Sequence, residues 1–125
     1  MKILLSPAKL MRTLSAENVT EPTFQQEATR LAKILSKWSV QHFSQRMGLS
    51  LDKAKETQAL MKNWLLEQGN AAPTPALFAY IGEAFKALDV PTLEKEGQVY
   101  LNKNCYVLAG LYGILSATDG VLPYR

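Results

Sequence analysis

Apolar positions along the chain change their period several times, and each change marks an element. Residues 2–5 form a short apolar run closed by Ser6-Pro7, which reads as a first strand. Phe24, Ala28, Leu31, Leu35 and Trp38 then recur at steps of four and three, the spacing of one helix face, with Arg30, Lys33 and Lys37 in a stripe on the other side. Ser39 opens a second, shorter helix that turns Val40, Phe43 and Met47 inward, and Met47-Gly48-Leu49 ends it. Ser50 opens a third, with Leu51, Ala54, Met61 and Leu65 on one face. Residues 10–22 mix Ser, Thr, Asn, Glu and Pro without a period and read as a loop.

Residues 69–75, rich in Gly, Ala and Pro, read as a linker. Residues 76–81 read as a second strand running into Gly82-Glu83, followed by a short helix carrying Phe85 and Leu88. A further helix starts near Pro91, with Glu94 and Glu96 in its first turn, and returns the chain to an apolar run, residues 105–108, expected to be a strand buried on both faces. Gly110, Gly113, Gly120 and Pro123 interrupt the apolar residues beyond it, so residues 108–125 cannot be one helix or strand. Together these elements predict an α/β (α+β) fold: a small parallel or mixed sheet with a helical insert at about residues 23–68. Three strands leave a small sheet uncovered, so residues 1–125 read as one incomplete domain, the amino-terminal portion of a longer fold.

Composition narrows the function classes. Hydrophobic residues make up 47% and charged residues 20%, as in ordinary soluble domains. One Cys and one His exclude a disulfide framework and a Cys/His zinc site within the chain. Cys105 reads as a core thiol, His42 has no acid or nucleophile near it in sequence, and no metal or cofactor is expected. The three apolar residues after Lys2 are too few for a signal peptide and no run spans a bilayer, so a cytoplasmic protein without a membrane partner is expected.

The net charge of +3 is modest but uneven. Arg30, Lys33, Lys37, Arg46, Lys53, Lys55 and Lys62 face only Asp52 and Glu56 within residues 30–62, whereas residues 63–100 carry more acids than bases. A basic segment beside an acidic one suits a polyanion. The same segment holds a helix, an apolar–Gly–apolar turn at Gly48, and a helix, the pattern of a helix-hairpin-helix. In that motif the turn amides hold a nucleic-acid phosphate and nearby cations, here Arg46, Lys53 and Lys55, neutralise its neighbours. The plainer reading makes Gly48 an ordinary helix stop.

A second constellation lies at the strand ends. Ser6 with Pro7 predicts a capped turn presenting backbone amides beside Lys9, an anion site. Ser6-x-x-Lys9 has the spacing of the penicillin-binding serine motif, but the Ser-Asp-Asn and Lys-Thr-Gly partners are absent. Lys9, Glu83 and Asp119, with Tyr124 and Arg125, are candidates for an enzyme acting on a phosphate-bearing or nucleic-acid substrate; structural pairing of the same charges is the competing reading.

Three stretches carry a family resemblance. Leu108, Gly110-Leu-Tyr-Gly113, Leu115, Asp119 and Pro123-Tyr-Arg125 resemble the signature of YaaA-type peroxide-stress proteins. Ile3-Leu-Leu-Ser-Pro-Ala-Lys9 is similar to that family's opening strand and loop, and Tyr80-Ile-Gly-Glu-Ala-Phe85 to an aromatic–Gly-Asp–Tyr segment. Ser116-Ala-Thr118 stands where an Arg-Pro pair is common, Glu83 replaces an Asp, and Ala87 a Gly. The resemblance implies binding to duplex or distorted DNA through the Gly48 hairpin, with Lys9 and Arg125 lining a basic cleft. It also implies a cellular role in limiting free iron and oxidative DNA damage, and it favours a binding protein over an enzyme.

Overall fold

In the computed structural model, which describes residues 1–125, strand β1 (Ile3–Leu5) lies parallel to β5 (Cys105–Ala109), from Ile3↔Cys105 to Leu5↔Val107. Parallel neighbours need a long crossover, and almost all the remaining residues supply it. A tight turn after Ala109 then lays β6 (Gly113–Ser116) antiparallel on the far side of β5, giving a mixed sheet in the order β1-β5-β6. Cys105, Val107, Ala109 and Leu115 point into the core, while Leu108 and Ile114 face the opposite way and stay exposed. The expected strand buried on both faces is therefore covered on one.

The crossover begins with β2 (Leu10–Met11) and continues through three helices, α1 (Gln25–Leu35), α2 (Val40–Met47) and α3 (Leu51–Leu66). These lie where the apolar periodicity puts them, but two faces are turned. On α1 the buried positions are Ala28 and Ala32, with Leu31 and Ile34 exposed; on α3 they are Ala54, Thr57, Met61 and Trp64, with Leu51 exposed. Small residues where α1 meets α3 let the helices approach closely, and Trp64 supplies bulk where α3 meets the rest of the protein. On α2, Phe43 is buried but Met47 is exposed.

Residues 76–81 do not make one strand. They divide into a single helical turn, α4 (Ala76–Ala79), and β4 (Tyr80–Ile81), preceded by β3 (Thr74–Pro75) inside the expected linker. β4 pairs antiparallel with β2 and β3 with β7 (Gly120–Val121), as two short ladders separate from the main sheet. The expected loop at 10–22 is likewise held: Arg12 donates from its amide to Ala79 O (2.8 Å) and from Nε to Phe78 O (2.7 Å), and Thr20 bridges to Asp119. Long-range pairing of two-residue strands leaves no period to read. α5 (Glu83–Leu88), a 3-10 turn at Val90–Thr92 and α6 (Lys95–Asn104) complete the return to β5.

No helix follows Ser6-Pro7. Residues 6–8 connect β1 to β2 without regular structure, with a bend at Lys9 before β2 pairs with β4. Gly82 marks the crossing: a Cβ there would sit 2.9 Å from the Cβ of Ala8, so the backbone contact between connector and β4 requires glycine.

Candidate nucleic-acid interface

The α2–α3 hairpin is built by local chemistry. Ser39 Oγ accepts the His42 amide (3.1 Å) to start α2, and Ser50 Oγ accepts the Lys53 amide (3.3 Å) to start α3. Between them Gly48 adopts the left-handed conformation, φ 64° and ψ 38°, which a residue with a Cβ enters at a cost. The turn is exposed, and a Cβ at Gly48 would meet nothing within 4 Å. Its amides are engaged, however: Gly48 and Leu49 (3.1 Å) both donate to Ser44 O, while Ser44 Oγ donates to Leu49 O (2.6 Å). The Gly48 and Leu49 amides are thus already hydrogen-bonded within the helix cap. The donors left without intrahelical acceptors are those of Ser50, Leu51 and Asp52 at the start of α3.

Arg46, Lys53 and Lys55 are all exposed around this turn. Lys53 Nζ lies 3.4 Å from Glu56, an exposed contact of small energy. His42 packs at a tilt against Trp38, with ring centroids 4.3 Å apart, and its amide caps the start of α2.

Lys9 and Glu83 flank the crossing at Gly82, since Leu10 pairs with Ile81, and both are exposed; Glu83 Oε1 lies 3.7 Å from Lys86. Asp119 is buried, on the turn between β6 and β7. Its Oδ1 accepts from Thr20 Oγ1 (2.7 Å), its Oδ2 from the Ser116 amide (2.8 Å), and its carbonyl from the Ala76 amide (2.8 Å). Each oxygen of this side chain accepts one hydrogen bond, and together they fasten the 116–120 turn to the loop at Thr20. No three His, Cys, Asp or Glu side chains gather where a metal ion would sit.

Arg125 follows Tyr124, which belongs to an aromatic cluster at the junction of insert and sheet. Trp64 Nε1 donates to Tyr112 Oη (2.9 Å), which also accepts the Leu122 amide (2.9 Å), and the hydroxyls of Tyr80 and Tyr124 are 2.8 Å apart. The hairpin turn lies about 20 Å along α3 from Trp64, by the rise of the helix, so most of α3 separates Gly48 from the surroundings of Arg125. Lys9, by contrast, sits on the segment paired with β4, which carries Tyr80.

Sequence reasoning passed over a cleft of about 270 Å³ beside β4, lined by Arg12, Phe78, Tyr80, Phe85, Lys86 and Asp89 among others. Its sequence signals are the Tyr80–Phe85 stretch, already noted for its resemblance, and Arg12, one of three cations in the acid-free first twelve residues.

Burial sets the ionisation of the aromatic cluster. It raises Tyr80, with Tyr124 adding to the shift, and raises Tyr124; Tyr112 is pushed up to about 12 by burial, although its hydrogen bonds from Leu122 and Trp64 oppose this. An unfolded tyrosine titrates near 10. Below that value both states hold the proton and these phenols add no pH dependence. Above it the unfolded chain releases protons that the fold retains, so stability falls as pH rises, and Tyr112 alone withdraws roughly 2–3 kcal/mol by pH 12. Urea midpoints measured from pH 8 to about 12 are expected to drop steeply past 10, and less steeply in Tyr80→Phe. A flat profile would contradict the burial of these hydroxyls.

The model of the family described as peroxide stress protein YaaA matches residues 1–125. Curated relatives are UPF0246 proteins. One from Lactobacillus delbrueckii subsp. bulgaricus is 36% identical over 129 residues, one from Limosilactobacillus fermentum 34% over 128, and one from Roseobacter denitrificans 29% over 126. Each alignment takes in 100% of this chain and 50%, 50% and 49% of the relative, so the chain spans about half the length of the curated relatives it matches. No helix is long and apolar enough to cross a membrane.

Proposed function

The chain belongs to the peroxide stress protein YaaA family, and from that premise we propose that it acts in the cytoplasm as a DNA-binding protein of the peroxide response. In this reading the α2–α3 hairpin meets the DNA backbone, and the cellular effect is to limit free iron and so oxidative damage to DNA. The observation that carries the DNA reading is the hairpin: an exposed, rigidly capped turn with Arg46, Lys53 and Lys55 around it and the first amides of α3 free of intrahelical acceptors. Phosphate oxygens accept from such amides, and the helix dipole adds to the attraction. Asp52 and Glu56 beside the lysines keep the local excess of positive charge small, which favours weak, sequence-tolerant binding over tight recognition. Peroxide damages DNA through ferrous iron, so a protein held on the backbone acts where that chemistry is most harmful.

Fluorescence anisotropy with duplex and bubble DNA across a salt series tests the reading. Two or three phosphate contacts give a slope of log K against log salt of roughly −2 to −3. Binding that ignores salt, or no binding at low salt, would overturn it.

A further inference from the structure

The sheet of β1, β5 and β6 has a bare side. Leu4, Tyr106, Leu108 and Ile114 share it, and the register makes them neighbours: Leu4 beside Tyr106 on the parallel pair, Leu108 beside Ile114 on the antiparallel pair. Leu4 is 59% exposed, Leu108 48% and Ile114 40%. Lys2 Nζ lies 5.7 Å from the centre of the Tyr106 ring, and Ser116, opposite Tyr106 on β6, is a polar residue on the same side. A sheet meant for water alternates apolar with polar residues, whereas parallel strands carry apolar residues on both faces because both are covered. Here the parallel pair has that composition and only one cover. The outer edges of β1 and β6 also lack a ladder partner in the sheet, leaving backbone groups able to accept another strand.

The size of the relatives supplies a candidate for the cover. The matched stretch makes up only 48–50% of several UPF0246 relatives, so these proteins hold a further polypeptide segment as long as the one described here. We propose that the outer face of the β1-β5-β6 sheet is the docking surface for that segment, which covers Leu4, Tyr106, Leu108 and Ile114 and extends the sheet along an open edge. The surface is apolar and self-contained, and it lies on different elements from the α2–α3 hairpin, so the proposal stands apart from the DNA reading.

The test supplies the segment of the Lactobacillus delbrueckii relative outside the matched stretch as a separate polypeptide to the 125-residue chain. Sedimentation reads the complex, and hydrogen exchange reads the amides of β1 and β6. A one-to-one complex is expected, with slowed exchange in one of those strands, and with affinity at least ~10-fold lower in both Leu108→Lys and Ile114→Lys. Both positions are exposed, so the variants keep the far-UV circular dichroism of the parent; Leu66→Lys, on exposed α3 surface, leaves binding unchanged. Lys53→Glu with Lys55→Glu also leaves it unchanged, which separates this proposal from the hairpin's. No complex, a complex indifferent to both sheet-face lysines, or self-association of the chain through this face that shuts the segment out would each overturn it.

Discussion

On the proposed DNA-binding reading, Lys53→Glu combined with Lys55→Glu is expected to lower affinity for duplex DNA by ~10²-fold or more at low salt and to make the salt slope shallower by about 2. Each substitution removes a cation from the start of α3 and adds a carboxylate beside Asp52 and Glu56, so the charge at the turn changes sign and a phosphate there would be repelled. The change does not act through stability. Ser50 caps α3 through the amide of Lys53, which the substitution keeps, and glutamate at that position completes a Ser-x-x-Glu capping box. Two acids in the first turns also suit the helix dipole, and the exposed Lys53–Glu56 pair contributes little. The double variant is therefore expected to melt at or above the parent temperature while losing DNA. Unchanged DNA affinity would remove the hairpin from the interface.

Trp64→Ala is expected to cost about 3–5 kcal/mol, a large share of the stability of a domain this size. Trp64 is 1% exposed and joins the helical insert to the sheet side through its hydrogen bond to Tyr112 and an edge contact with the same ring, centroids 5.7 Å apart. Truncation leaves a cavity at this junction and takes one donor from Tyr112 Oη, whose other donor is the Leu122 amide. Trp64→Phe keeps most of the packing and loses the hydrogen bond, so it is expected to cost about 1–2 kcal/mol. Urea denaturation distinguishes the two. A loss below about 1 kcal/mol for Trp64→Ala would mean that the insert is not anchored there.

Asp119 and Lys9 show how far candidate-site residues can be read in advance. Both belong to stretches that resemble family motifs, and side-chain type alone offered each as a catalytic or anion-holding group. Asp119 is fastened by Ser116, three residues away, and by Thr20, a partner that no local pattern links to it. Lys9 stays exposed at the crossing of β2 and β4, where Gly82 admits Ala8. Arg12 attracted no attention in the sequence beyond its charge, yet it secures the loop to Phe78 and Ala79 and edges a cleft.

What the sequence determined by itself is what short-range chemistry controls. Ser39, Gly48 and Ser50 start and stop two helices because a hydroxyl reaches an amide three residues on, and because only glycine enters the left-handed turn without strain. The apolar runs at 3–5 and 105–109 became parallel partners because strand formers between turns have few other ways to be buried. The tertiary structure alone decided which face of α1 and α3 turns inward, how residues 74–81 split between strand and helical turn, and where the aromatic hydroxyls meet. Those outcomes depend on how closely two surfaces approach: Ala28 and Ala32 are buried on α1 while Leu31 stays out, and Trp64 is enclosed where Tyr112 offers an oxygen. Such fits are set by volume and hydrogen-bond complementarity between residues tens of positions apart, which a one-dimensional period does not encode.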